Sequence, residues 1–184
     1  IVSINNPDQF CDGSIISKNW VVTAAHCIDA ITSTTTIVAG TNLAHSGGTT
    51  HKVTNWFNHE DYDDQTLIND IGLIQIEDEF EFDDVTQPTE FVDPVENATC
   101  SLAGWGMTDT VDFPDELQFV DQTIFSFDTC KSFVGDELVE EQICAFAQQG
   151  KGVCIGDSGG PLVCEGKLAG IVTYFIGGCG SGYP

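Results

Sequence analysis

Eight cysteines in a chain of 184 residues constrain the fold more than any other feature of this sequence. They stand at Cys11, Cys27, Cys100, Cys130, Cys144, Cys154, Cys164 and Cys179, an even number with no C-x-x-C pair among them. Zinc sites of the common kinds are built on such pairs, so a disulfide framework is the better reading. Spacing alone does not choose among the 105 pairings that eight cysteines allow. Between the cysteines, short runs rich in β-branched and aromatic residues recur among turn signals: Trp20 to Thr23, Thr34 to Val38, Ile71 to Ile76, Leu117 to Phe125 and Leu168 to Tyr174. That recurrence predicts an all-β chain. Ser126 to Val134 breaks the pattern and reads as a short helix capped by Ser126 or Asp128. The uncharged stretch from Leu168 to Pro184 is short for a membrane span and holds five glycines, so it reads as a strand followed by a loop.

Three segments carry chemistry. In Gly156-Asp157-Ser158-Gly159-Gly160-Pro161 a serine is followed by two glycines and preceded at two residues by a third, which lets the backbone approach a bound carbonyl. Taken alone, it is also a plain glycine-rich turn. The apolar run Trp20-Val21-Val22-Thr23-Ala24-Ala25 ends in His26-Cys27, and a lone histidine there is most often a satisfied core residue. Asp70 opens the alternating stretch Ile71-Gly72-Leu73-Ile74-Gln75-Ile76, where by itself it reads as a strand cap. Together, in the order His26, Asp70, Ser158 and with these neighbours, the three closely resemble the triad of the chymotrypsin-like serine proteases. Subtilisins and α/β-hydrolases use other chain orders.

The resemblance runs through essentially the whole chain, including Gly104-Trp105-Gly106 and Asp115-Glu116-Leu117-Gln118. It implies two antiparallel six-stranded β-barrels, residues 1–92 and 93–184, with the active site in the cleft between them. It also pairs every cysteine: Cys11 with Cys27, Cys100 with Cys164, Cys130 with Cys144, and Cys154 with Cys179. Closing the first of these loops contributes roughly 3 kcal/mol in the chain-entropy account and clamps the segment carrying His26. Four disulfides imply an oxidising, extracellular compartment and a secreted protein. The implied activity is peptide-bond hydrolysis through an acyl-enzyme. Ser158 attacks, His26 acts as base and then acid, Asp70 orients His26, and the N–H groups of Gly156 and Ser158 bind the oxyanion. Thr173 stands where the family usually has a serine supporting the aspartate. Gly152 falls at the base of the primary substrate pocket, where trypsin-like enzymes carry an aspartate, so an apolar pocket is expected. Phe175 falls on its wall, which leaves elastase-like and chymotrypsin-like preferences both open.

The ends depart from the family pattern. Ile1-Val2-Ser3-Ile4 looks like the strand that precedes the first cysteine, not the activating terminus whose amine pairs with the aspartate before the nucleophile, here Asp157. Gly182-Tyr183-Pro184 looks like the lead into a further pocket-lining segment. The chain therefore reads as incomplete at both termini, which would leave Asp157 unpaired and the oxyanion loop poorly held.

Charge narrows the partners. Twenty-nine acidic residues against five lysines and no arginine give a formal charge of −24, which repels nucleic acid and anionic membranes. Solubility explains such a surface, and so does protection from trypsin-like enzymes in a digestive setting. Protein or peptide substrates and protein protease inhibitors are the expected partners of a monomer. Asn97-Ala98-Thr99 is an N-glycosylation acceptor. The Thr41 to Lys52 loop, which binds calcium in some relatives, has no acidic residue, so neither metal nor other cofactor is expected. A catalytically inactive homologue acting as a binding protein is the alternative.

Overall fold

In the computed structural model, which describes residues 1–181 and 183, two β-structures meet along one seam. The first comprises β1 (Val2–Asn5), β2 (Gln9–Ser17), β3 (Trp20–Thr23), β4 (Thr36–Ala39), β5 (Thr49–Asn58) and β6 (Gly72–Ile76), with a single helical turn, α1 (Ala25–Ile28), after β3. These six strands close into a barrel in the order β1-β2-β3-β6-β5-β4. Alternation explains which side chains fill it: Ile37 and Ala39 of β4, Ile74 and Ile76 of β6, and Val2 and Ile4 of β1 are buried. Burying each such side chain contributes on the order of 1.5–3 kcal/mol.

The second unit is built from β7 (Thr99–Gly104), β8 (Gln118–Ile124), β9 (Ala145–Phe146), β10 (Pro161–Cys164) and β11 (Lys167–Ile171). Their order is β11-β10-β7-β8-β9. Among the described residues this is a five-stranded curled sheet, one strand short of the six that the resemblance implies for a whole second barrel. The edge of β11 is partly taken up by the linker instead: Leu168 N donates to Glu90 O at 2.8 Å and Val92 N to Leu168 O at 3.0 Å. At the other edge β9 is only two residues long. Helix α2 (Phe127–Val134) forms where the sequence predicts, with Ser126 as its cap accepting from Thr129 N.

Every strand run singled out in the sequence forms a strand within a few residues of its expected bounds. Of the final stretch, Lys167–Ile171 is strand and the residues after it are loop, while Gly182 and Pro184 lie outside the described residues. All four disulfides join the pairs that the resemblance implied.

The seam between the two units is made of backbone. Asp12 N on β2 donates to Ser158 O, Leu117 N to Asn42 O, and Ala44 N to Asp115 O, each at 2.7–2.8 Å. The buried Trp105 adds its indole N–H to Asn42 O at 3.2 Å. At the start of β6, Gly72 leaves the room in which α1 sits, because a Cβ there would stand 2.5 Å from Ile28 Cγ1 and 3.0 Å from Phe57 O. Gly72→Ala is expected to lower stability by roughly 1–3 kcal/mol through this overpacking. A urea midpoint equal to that of the parent protein would show that the contact yields freely.

Candidate active site

His26 owes its position to the end of β3. The chain leaves the barrel wall at Ala24 in an extended conformation and turns once as α1, and the Cys11–Cys27 disulfide ties that turn back to β2. The His26 N–H donates to Asp70 Oδ1 at 2.8 Å and its ring Nδ1 lies 2.7 Å from Asp70 Oδ2. Asp70 approaches from the turn before β6, where Leu67 and Asn69 both adopt positive φ. Its side chain is 2% exposed, whereas that of His26 is 29% exposed. The acid is therefore shielded and the imidazole faces the solvent side. Thr173, just beyond β11, donates its hydroxyl to the same Asp70 Oδ2. Burial pushes the Asp70 carboxyl up, but the hydrogen bonds from His26 and Thr173 outweigh it, and the group titrates below its ordinary range.

Ser158 arrives on a glycine-bracketed loop ahead of β10. Gly156 and Gly159 both take positive φ, 101° and 75°, which L side chains rarely adopt. Gly159 also lacks room for a side chain: a Cβ there would meet Thr23 Oγ1 and would lie 2.5 Å from Asp12 O and 3.0 Å from Ala24 N. The serine loop is thus pressed against the residues that lead into His26. Gly159 N donates to Val172 O at 2.8 Å, so the same loop is tied to the segment that carries Thr173. Between Ser158 Oγ and His26 no hydrogen bond is closed among the described residues. Such bonds in free enzymes often tighten only when substrate binds.

Asp157 is not without partners, contrary to the expectation from sequence. Its Oδ1 accepts from Gly106 N at 2.8 Å and its Oδ2 from Cys154 N at 2.9 Å. Two backbone donors engage the carboxylate that pairs with an amine in the family pattern. Burial still raises it above its ordinary value, against the pull of those two bonds.

A cavity of about 380 Å³ opens beside Asp70 and Thr173. Gly152, Val153, Phe175 and Gly180 are among its lining residues, and the Cys154–Cys179 disulfide joins the segments bearing them. Phe175 is half-buried in this lining. No carboxylate stands at position 152. The acidic residues that do line the cavity are Asp70, engaged with His26, and the exposed Glu141.

Comparison with known proteins agrees with this arrangement. The sequence model described as trypsin matches residues 1–184. The chain is 38% identical over 182 residues to trypsin delta of Drosophila melanogaster, covering 95% of this chain and 72% of that protein. It is 37% identical over 180 residues to trypsin epsilon of Drosophila erecta, covering 94% and 70% respectively. Among solved structures it resembles neuropsin, a serine protease expressed in the limbic system of mouse brain. That match has a TM-score of 0.91 at 27% identity over 98% of this chain and 84% of the other. The chain belongs to the trypsin family.

As a trypsin-family chain it is a serine endopeptidase of the chymotrypsin fold. Sequence reasoning passed over three members of the site's surroundings: Gln9 and Asp12, which hold the serine loop from β2, and Thr23, whose hydroxyl donates to Asp12 O at 2.7 Å. Nothing in a lone glutamine or aspartate near a cysteine signals that role. Tyr62 was missed as well. Burial first, and then Asp70 with the acidic side chains around it, push its phenol up to about 12. Cys11, His26 and Cys27 place potential ligand atoms within 4.8 Å of one another, but both sulfurs belong to one disulfide and are not thiolates. Asn97 is exposed at positive φ in the turn before β7.

The lowered Asp70 titration gives a signed expectation. A depressed carboxyl stabilises the fold above its unfolded value, and that stability is lost as pH falls through the folded value. Thr173→Val removes one of the bonds that depress it. The variant is expected to lose acid stability at higher pH than the parent and to lose about tenfold in kcat/KM. Superimposable pH profiles would show that Thr173 contributes packing alone.

Proposed function

We propose that this chain is a secreted endopeptidase that cleaves after apolar residues, with Ser158 as nucleophile, His26 as base and Asp70 as the acid that orients it. The observation that carries this reading is the convergence on one buried carboxylate: Asp70 accepts from the His26 backbone, faces the His26 ring and accepts from Thr173. A histidine held this way presents Nε2, its free ring nitrogen, to the cleft between residues 1–92 and 93–184. There it takes the Ser158 proton as the oxygen attacks a scissile carbonyl, and later gives it to the leaving amine. Asp70 stays ionised throughout and stabilises the imidazolium. The Gly156 and Ser158 N–H groups receive the negative charge that develops on the carbonyl oxygen, where a single lost donor costs about 3 kcal/mol in related enzymes.

The preference for apolar residues rests on Gly152. With no carboxylate at that position, a lysine or arginine side chain entering the cavity would lose its water without gaining a charge partner. Phe175 narrows the wall and favours small and medium apolar side chains, an elastase-like preference over a chymotrypsin-like one. A serine-directed covalent inhibitor is expected to label Ser158, to fail on His26→Ala, and to be matched by cleavage after Ala, Val or Leu in peptide libraries. Phe175→Gly is expected to shift preference about tenfold toward Phe and Tyr. Cleavage confined to Lys and Arg would reject the pocket assignment. No label on folded protein would favour an inactive homologue that binds without cutting.

A digestive setting fits the surface. Four of the five lysines are engaged with carboxylates, Lys18 with Glu79 at 2.9 Å, Lys167 with Glu90 at 2.8 Å, Lys131 with Asp136 at 3.3 Å and Lys52 with Glu77 at 3.7 Å. These are weak exposed pairs. Protection rests instead on scarcity, since five lysines and no arginine leave a trypsin-like enzyme few sites to cut. The folded protein is expected to survive prolonged incubation with trypsin, and rapid fragmentation at these lysines would count against the setting.

A further inference from the structure

The loop that carries the oxyanion donors is gripped from β2. Gly156 lies between two peptide planes. The plane before it contains its own N–H and is held by Met107 N donating to Ile155 O at 2.8 Å. The plane after it contains the Gly156 carbonyl, and here Gln9 Nε2 donates at 2.8 Å. The same Nε2 donates to Asp12 Oδ1 at 3.0 Å, while Asp12 N donates to Ser158 O at 2.8 Å. Because each peptide is rigid, the tie on Ile155 O fixes the direction of the Gly156 N–H, and the Ser158 N–H lies in the peptide whose carbonyl, Asp157 O, accepts from Gly160 N at 3.0 Å; the Gln9 and Asp12 ties hold the peptides on either side of that one. Gly156 has no side chain to limit its rotation, so the tie on its carbonyl holds a peptide that would otherwise turn freely.

Asp12 is fully buried, and its Oδ2 has no hydrogen-bond partner. That oxygen faces Asp157. Both carboxylates border the space that Gly104 leaves empty, where a Cβ would meet Asp157 Oδ1 and would lie 2.7 Å from Asp12 Oδ2. Two buried carboxylates sharing one space do not both ionise cheaply. A proton on Asp12 Oδ2 resolves the conflict, since it converts repulsion into donation and removes the orphaned acceptor.

We propose that Gln9 and Asp12 are positioning residues of the oxyanion loop, with Asp12 held as a carboxylic acid that donates toward Asp157 while its other oxygen aims the Gln9 amide at Gly156. The proposal rests on Gly156 and Ser158 being the oxyanion donors. Burial and the neighbouring charge of Asp157 hold Asp12 well above the ordinary carboxylate range, against the pull of Gln9. The titratable side chain facing Asp12 is Asp157, and the Trp105 backbone N–H approaches without closing a hydrogen bond. A carboxyl raised in the folded state gives stability that is complete below its unfolded value and is lost as pH rises through the folded value. Above that value Asp12 ionises beside Asp157 and the loop loosens.

Two variants test this. Gln9→Leu is expected to lower kcat about 10- to 100-fold with KM within about twofold, and to weaken a peptide boronate by the same factor as kcat, because the lost tie acts on the transition state. Where that variant does not fold, Gln9→Glu keeps the shape, removes the donor and reads the same loss. Asp12→Asn, neutral at every pH and able to donate toward Asp157, is expected to carry both activity and Tm further into the alkaline range than the parent. A parental kcat in the Gln9 variants, or a fall in kcat without weaker boronate binding, overturns the Gln9 role. An Asp12→Asn protein with a lower Tm at all pH values and an unmoved alkaline limb overturns the Asp12 role. If the parent itself fails to react with a serine-directed inhibitor, the assignment of Ser158 falls. The Tm comparison, which needs no turnover, still judges Asp12.

Discussion

Gly159 has no side chain, and the site depends on that. The residue after the serine lies where Thr23 Oγ1, Asp12 O and Ala24 N crowd around the position a Cβ would take. Any larger residue would push the loop off the first barrel and carry Ser158 away from the turn that bears His26. Close contact there lets Asp12 N reach Ser158 O and Gly159 N reach Val172 O. One short segment is thereby tied both to the barrel that supplies the histidine and to the strand end that supplies Thr173.

Around this contact three buried carboxyls are sorted by the donors that reach them. Asp70 is buried but receives donors on both oxygens, so it remains charged and can support an imidazolium. Asp157 is buried and receives two backbone N–H groups, which are enough to place it but not to hold its titration at the ordinary value. Asp12 is buried with one oxygen satisfied and the other not. The three carboxyls thus differ by the donors that the fold supplies, and residue type alone does not distinguish them.

Much of this was legible in the order of residues. Strands such as Trp20–Thr23 and Gly72–Ile76 announce themselves because their apolar residues have one face to fill. The run Thr49–Asn58 does not, since it is polar along most of its length and takes its place in the barrel from the hydrogen bonds of β4 and β6 on either side. What lies along the last edge of the second sheet was also hidden. Its edge at β11 is partly occupied by Glu90 and Val92, whose linker sequence carries no strand pattern.

The sequence by itself determined the chemistry on offer: a histidine, an aspartate and a glycine-flanked serine in a recognisable order, eight cysteines with one family pairing, and a strongly acidic surface. These are local facts, carried by residue type and spacing. Only the tertiary structure decided that Asp157 takes its partners from Gly106 and Cys154, that Phe175 lines the cavity above Gly152, and that Gln9 and Asp12 reach across from β2 to the serine loop. The physical reason is distance along the chain. Gln9 and Gly156 are separated by 147 positions, and a hydrogen bond over that span leaves no periodicity, spacing or composition for a reader of the sequence to find.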